Sequence, residues 1–141
     1  VRTFEAAAYL RKCGADPVLV KKMFADSVDI YKKKYAVISS AQIYEDCVIA
    51  LNPETDKNTR LISSQAADEL LNVNHVKASF VLFMDGENVN ISARSLGEIN
   101  VQVIMEKLGG GGHRTMAACS IKNATFETAL TALQEAIDSE R

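Results

Sequence analysis

The sequence has 141 residues, of which 48% are hydrophobic and 24% charged, with a formal net charge of −2. This is enough chain for one globular domain with a core, and it excludes a disordered or fibrous class. The weak negative charge, without a basic tract, argues against bulk attraction to long nucleic acids. Three scattered cysteines favour reduced thiols over a disulfide framework.

The longest apolar run near mid-chain, residues 80–84, is too short to cross a bilayer, and no signal peptide is recognisable. The chain begins with Val1 and enters a helical pattern at once, so we expect a piece of a longer protein.

The first quarter of the chain is helical in pattern. Thr3 can cap a helix over residues 4–13, and Asp16 with Pro17 opens a second helix. Ser27 is expected to begin a third, because apolar residues follow it at helical spacing.

The rest of the chain alternates strand and helix patterns. We predict, in order, a strand over 44–51, a helix over 60–71, strands over 78–84 and 88–94, a helix over 101–108, a strand over 119–122 and a last helix capped by Thr125. Asp85 and Gly86 are a hairpin turn signal between two of these strands. This order predicts an α/β fold, with a mixed, largely antiparallel sheet flanked by helices and preceded by a helical connector.

Four consecutive glycines, residues 109–112, precede His113 and Arg114 and are the most unusual stretch of the chain. Because glycines cost backbone entropy, a domain keeps them where the backbone needs positive φ or must approach something closely. Their N–H groups can face one concavity and bind an anion, to which the histidine and arginine would add donors. We also expect a short helical turn after His113, with its amides facing the same space.

The phosphate interpretation competes with a flexible turn that carries a surface histidine. The stretch is neither a nucleoside-triphosphate P-loop nor a dinucleotide fingerprint, because the required residues and spacing are missing.

Arg94 and Asn100 are two further candidates beside the glycines. Arg94 ends a predicted strand, and its guanidinium can bind phosphate oxygens in pairs, although for this residue taken alone a surface salt bridge with Glu98 is the favoured explanation. Asn100 is a helix cap, a substrate contact, or both.

No complete reaction centre is recognisable. The two histidines, His75 and His113, are far apart in sequence, and we find no metal-binding motif, no carboxylate pair next to the glycines and no nucleophile triad. His75 is more simply a surface or capping histidine. The residues alone therefore predict a binding surface.

The residues 91–95, 99–101 and 108–113, with Ala117 and Ala118 shortly after, resemble the signature of the DHHA1 domain. This is the smaller, substrate-binding domain of the DHH phosphoesterase superfamily. The run from residue 76 to residue 139 most resembles the cyclic-di-AMP phosphodiesterases of the GdpP family.

The resemblance also divides the chain. Residues 1–35 would be a helical connector from the end of a DHH domain, and residues 36–141 the DHHA1 domain itself. Cys119 departs from the pattern, because the family usually has Gly there, and this weakens any claim that the backbone at that position approaches a ligand.

The resemblance implies six substrate-binding residues: Arg94, Asn100, Gly110, Gly111, Gly112 and His113. It implies no catalytic residue, metal ligand or cofactor in this fragment, with two manganese ions expected in the missing DHH domain. The parent reaction would be hydrolysis of cyclic di-AMP to linear pApA and onward to AMP, and the isolated chain is expected to be inactive. The expected partners are a cyclic dinucleotide or short oligonucleotide and the DHH domain in cis, with a homodimer left open.

The implied location is a cytoplasmic domain of a membrane-anchored bacterial parent that serves second-messenger signalling. Three alternatives remain open. They are the same domain of an oligoribonuclease or phosphoadenosine phosphatase, a non-catalytic RNA-binding module of the alanyl-tRNA synthetase type, and a structural dimerisation module.

Overall fold

The computed structural model describes residues 16–140, which form four helices and one six-stranded sheet. In chain order the elements are α1 (Pro17–Ser39), β1 (Gln42–Tyr44), β2 (Cys47–Asn52), α2 (Thr59–Leu70), β3 (Ala78–Asp85), β4 (Asn88–Ser95), α3 (Val101–Lys107), β5 (Gly111–Gly112), β6 (Met116–Ile121) and α4 (Phe126–Ser139). The strands lie in the order β1-β2-β3-β4-β6-β5, and only β2 and β3 pair in parallel. The predicted fold class, an α/β fold with a mixed, largely antiparallel sheet, is confirmed.

The chain divides between Lys33 and Lys34 into two compact units. The predicted domain boundary after residue 35 stays a prediction, and the predicted helix over residues 4–13 lies outside the described residues. No helix within residues 16–140 is long and apolar enough to cross a membrane.

The predicted start of α1 is confirmed, but the prediction that a third helix begins at Ser27 is wrong. The Asp16 carboxylate accepts a hydrogen bond from the Val18 N–H at 2.8 Å, as an N-cap does. The helix then continues through Ser27, whose hydroxyl donates to the Met23 carbonyl at 3.1 Å. This bond to the preceding turn accommodates the serine inside the helix, so no new helix begins there.

The predicted strand over residues 44–51 is two strands. β1 and β2 pair antiparallel, with Tyr44 opposite Cys47, and Glu45 at the turn has a φ of 59°. The polar pair at residues 45–46 forms a tight reversal where the pattern suggested a continuous strand.

One face of the sheet, which we call the core face, packs against α3 and α4. Alternation along each strand places every second side chain on this face. Its buried members are Cys47, Ile49, Ala78, Phe80, Leu82, Val89, Ile91, Ala93, Ala117 and Cys119. They form one cluster with Val101, Ile104 and Met105 of α3 and with four residues of α4, among them Leu133 and Ile137.

The opposite face, which we call the cleft face, is covered only in part, by α2. The Asn52 amide donates to the Ser63 hydroxyl at 3.1 Å, and the Ser79 hydroxyl donates to the Ala67 carbonyl, so α2 is tied to β2 and β3. Towards β6 the cover ends, and the side chain of Met116 is 50% exposed. The cleft face of β4, β6 and β5 is therefore the open part of the sheet.

Candidate functional site

The glycine run begins as the C-terminal cap of α3. Gly109 has a φ of 87°, its N–H donates to the Glu106 carbonyl, and the Gly110 N–H donates to the Met105 carbonyl at 2.8 Å. These two bonds are those of a Schellman motif. The Gly110 amide is thus engaged inside the chain.

The run continues as a strand, whereas the sequence suggested a loop followed by a helical turn. Gly111 lies opposite Ala118 and Gly112 opposite Ala117, and the His113 N–H donates to the Met116 carbonyl at 2.6 Å. The predicted helical turn after His113 is wrong, because residues 113–116 form the turn of this hairpin. Because hydrogen-bonded and non-bonded pairs alternate in an antiparallel ladder, the Gly111 N–H faces β6 and the Gly112 N–H faces outward.

The three glycines that the sequence selected are needed for different reasons. A Cβ on Gly110 would stand 2.1 Å from the Ala118 carbonyl oxygen, and one on Gly112 would stand 2.5 Å from the Ala117 Cα. A Cβ on Gly111 would meet nothing within 4 Å, and Gly111 is not among the glycines of positive φ. Packing therefore accounts for two of these glycines, and the third keeps an open surface where a ligand can approach the backbone.

The hairpin turn that carries His113 is braced against the end of β4. The Thr115 carbonyl accepts from the Ser95 N–H at 3.0 Å. The Arg114 carbonyl accepts from the Val101 N–H at 3.1 Å and from the Ser95 hydroxyl at 3.1 Å. These bonds hold the backbone of His113 beside the strand end that carries Arg94. The imidazole itself is exposed and has no hydrogen-bond partner among residues 16–140.

Arg94 does not form the expected salt bridge with Glu98. Its Nε donates to the Asp68 carboxylate at 2.9 Å and its Nη1 to the Ala93 carbonyl at 2.9 Å, while Glu98 pairs with Lys77. The side chain is only 11% exposed. Within the described chain, both Nη2 protons are left for a ligand, and the two bonds hold the guanidinium in one orientation.

These residues line a cleft of about 330 Å³ on the open part of the cleft face. Its lining residues are Arg60, Ser64, Ser92, Arg94, Gly111, Gly112, His113, Met116, Ala117 and Ala118. Of the six predicted site residues, Arg94, Gly111, Gly112 and His113 meet here, whereas Gly110 and Asn100 do not line the cleft. Arg60 and Ser64 are not among the predicted site residues, although their four-residue spacing on a predicted helix already placed them on one side of it.

Asn100 lies elsewhere. Its side chain accepts from the Gln102 N–H at 3.1 Å and caps α3. It lines a second, larger cleft of about 440 Å³ with Lys77, Arg114 and the acidic residues Asp46, Glu98 and Glu140. Three carboxylates against two cations make this cleft unfavourable for phosphate, so the smaller cleft is the better anion site despite its size.

Within residues 16–140, no three His, Cys, Asp or Glu side chains gather in a group that could hold a metal ion. Burial raises the pKa of the Cys119 thiol to about 11, against a smaller lowering by a backbone hydrogen bond from Ile91. A thiol this weakly acidic is a poor nucleophile at neutral pH. Cys119 also faces the core, so its departure from the family pattern leaves the cleft unchanged.

The other histidine does not belong to the cleft. His75 is exposed, does not line the cleft and has a φ of 70° in the link between α2 and β3. It matches the surface histidine that the sequence suggested.

The cleft thus lies on a partly covered mixed sheet, carries two arginines and is floored by glycine and alanine. The model of the DHHA1 domain matches residues 45–140, and the chain belongs to this family. It is 44% identical over 140 residues to the cyclic-di-AMP phosphodiesterase PdeA of Listeria monocytogenes, covering 98% of this chain and 21% of that protein. It is 48% identical over 141 residues to the cyclic-di-AMP phosphodiesterase GdpP of Bacillus subtilis, covering 97% of this chain and 21% of that protein.

The chain thus spans about a fifth of the length of these curated relatives. Among solved structures, an exopolyphosphatase-related protein from Bacteroides fragilis has the same fold, with a TM-score of 0.69 at 20% identity. That alignment covers 98% of this chain and 43% of that protein.

Proposed function

We propose that this chain is the substrate-binding domain of a manganese-dependent phosphodiesterase that hydrolyses cyclic di-AMP to linear pApA. The observation that carries the proposal is the meeting of Arg94, Gly111, Gly112 and His113 in one cleft. The names of the two curated relatives support the choice of cyclic dinucleotide. The reaction would take place on metal ions held by a DHH domain of the longer protein, which would be anchored to the membrane with this domain in the cytoplasm.

Each cleft residue then has a distinct part in binding. The two Nη2 protons of Arg94 would bind phosphate oxygens, and the fixed orientation of the guanidinium reduces the ordering cost of that contact. The Gly112 N–H and the His113 imidazole would add donors from the opposite side of the cleft. Gly111 would let the ligand approach the main chain without a side chain in between.

The test is an NMR titration of the chain with cyclic di-AMP, linear pApA and AMP, in which backbone amide and arginine Nε resonances are followed. We expect saturable shifts at residues 111–113 and at the Arg94 Nε–H with the dinucleotides. The absence of such shifts at millimolar ligand, or shifts centred on the Asn100 cleft, would overturn the proposal.

The two histidines provide a matched pair of variants. His113→Gln removes an imidazole from the cleft and should weaken dinucleotide binding about tenfold, as the loss of one charge-assisted contact does. His75→Gln makes the same chemical change at an exposed site outside the cleft and should leave affinity unchanged. A preference for short RNA oligomers or phosphoadenosine over the cyclic dinucleotide would identify the alternative members of the superfamily.

A further inference from the structure

One wall of the cleft is a stripe of polar residues on α2. Arg60, Ser64 and Asp68 follow one another at four-residue spacing and therefore share a face of the helix. Asp68 binds Arg94, and both Arg60 and Ser64 line the cleft. Arg94 thus lies at one end of the wall and Arg60 at the other.

Two independent estimates give the distance between these ends. Along α2, eight residues separate Arg60 from Asp68, which is about 12 Å at a rise of about 1.5 Å per residue. Across the sheet, the guanidinium carbon of Arg60 lies 5.5 Å from the centre of the Phe83 ring, and Phe83 pairs with Asn90. Asn90 precedes Arg94 by four residues of β4, which is about 13 Å. The helix and the sheet therefore give nearly the same distance, about 12 to 13 Å, between the two ends of the wall.

Helix stability does not account for Arg60. It is the second residue of α2, and a cation in the first turn is unfavourable next to the positive end of the helix dipole. Its contact with Asp85 is 3.6 Å long and joins two side chains that are 67% and 64% exposed, so it is a weak ion pair in water. The Phe83 ring orders the guanidinium, while the weak ion pair leaves it free to exchange a carboxylate for a phosphate.

We propose that Arg60 binds a second phosphoryl group of the substrate and so selects dinucleotides over mononucleotides. A single phosphate, with hydrogen bonds of about 3 Å on either side, cannot reach two guanidinium groups about 12 Å apart. Two phosphoryl groups joined through a nucleoside can, with Ser64 and Ser92 lining the cleft between them. The inference rests on the proposed function, since it assumes that Arg94 binds the first phosphate.

The test compares the affinity of the chain for linear pApA and for AMP by calorimetry. Arg60→Gln should weaken pApA binding about tenfold and leave AMP binding unchanged, because AMP occupies only the Arg94 end. Lys57→Gln is the matched control: it removes an exposed cation three residues before Arg60, in the turn that precedes α2, where it does not line the cleft, and it should change neither affinity.

The outcomes separate this inference from the proposed function. If the unaltered chain binds neither ligand, the proposed function fails and this inference with it. If it binds both but Arg60→Gln weakens them equally, or weakens neither, only the role of Arg60 is refuted. Arg60→Lys should restore part of the preference for pApA, since it keeps the charge but not the planar fork.

Discussion

Two adjacent glycines provide the sharpest test of how the cleft is built. A Cβ on Gly110 would lie 2.1 Å from the Ala118 carbonyl oxygen, which is 0.9 Å short of the 3.0 Å below which real contacts essentially do not occur. It would also lie 2.5 Å from the Cys119 Cβ. Because these atoms belong to β6, which is paired with β4 on one side and β5 on the other, β6 would have to retreat by about 1 Å.

We therefore expect Gly110→Ala to lower the free energy of unfolding by about 3 kcal/mol, as overpacking against backbone does. For a unit of this size that corresponds to a fall in Tm of about 10 °C. Gly111→Ala should change stability by no more than about 0.5 kcal/mol, because the new methyl group meets open space and no positive φ is strained. The same methyl group would occupy the cleft and should weaken dinucleotide binding about tenfold.

The assay is chemical denaturation followed by circular dichroism, with the NMR titration as the second measurement. Both variants add the same methyl group one residue apart, so each is the control for the other. Equal losses of stability would refute the separation of packing glycines from the ligand-facing glycine. Unchanged affinity in Gly111→Ala would show that ligands do not approach this backbone.

Two further predictions concern residues outside the cleft. Asn100→Ala should lower the free energy of unfolding by about 1 kcal/mol, because it removes the cap on the Gln102 N–H. It should leave dinucleotide affinity unchanged. A clear loss of affinity would show that Asn100 contacts the substrate. Cys119 should resist alkylation at neutral pH, because burial raises the pKa of its thiol to about 11. The buried neutral thiol should therefore stabilise the fold fully below pH 9.0, the ordinary pKa of the group, and this stabilisation should be lost as the pH rises towards 11. The measurement is the difference in unfolding free energy between the unaltered chain and Cys119→Ala from pH 8 to pH 11, and a constant difference would contradict the burial argument.

The elements that the sequence predicted well are those with local signals. Asp16, Asn100 and Thr125 each accept a backbone N–H at the start of a helix, and this depends on residues two or three positions away. The hairpin between β3 and β4 follows from Gly86, which has a φ of 64°. Such features can be predicted from the sequence because the interacting residues lie within a few positions of one another.

The features that the sequence did not predict depend on distant pairing. Glycine has little preference for strands, so β5 exists only because β6 pairs with it. The partner of Arg94 is Asp68, 26 residues away on α2, and only the packing of that helix on the sheet brings them together. The nearer Glu98 was the obvious candidate, but it binds Lys77 instead.

The half-covered sheet explains why stability and binding are separable in this domain. The large apolar side chains of β3 and β4 that point to the core face are buried against α3 and α4, and this cluster supplies most of the hydrophobic stabilisation. The open part of the cleft face carries glycine, alanine and serine, which bury little area and contribute little to the core. Substitutions there, such as Gly111→Ala, can therefore alter binding while the fold stays intact. Gly110, although adjacent in sequence, belongs to the packed part because its neighbours are the backbone of β6.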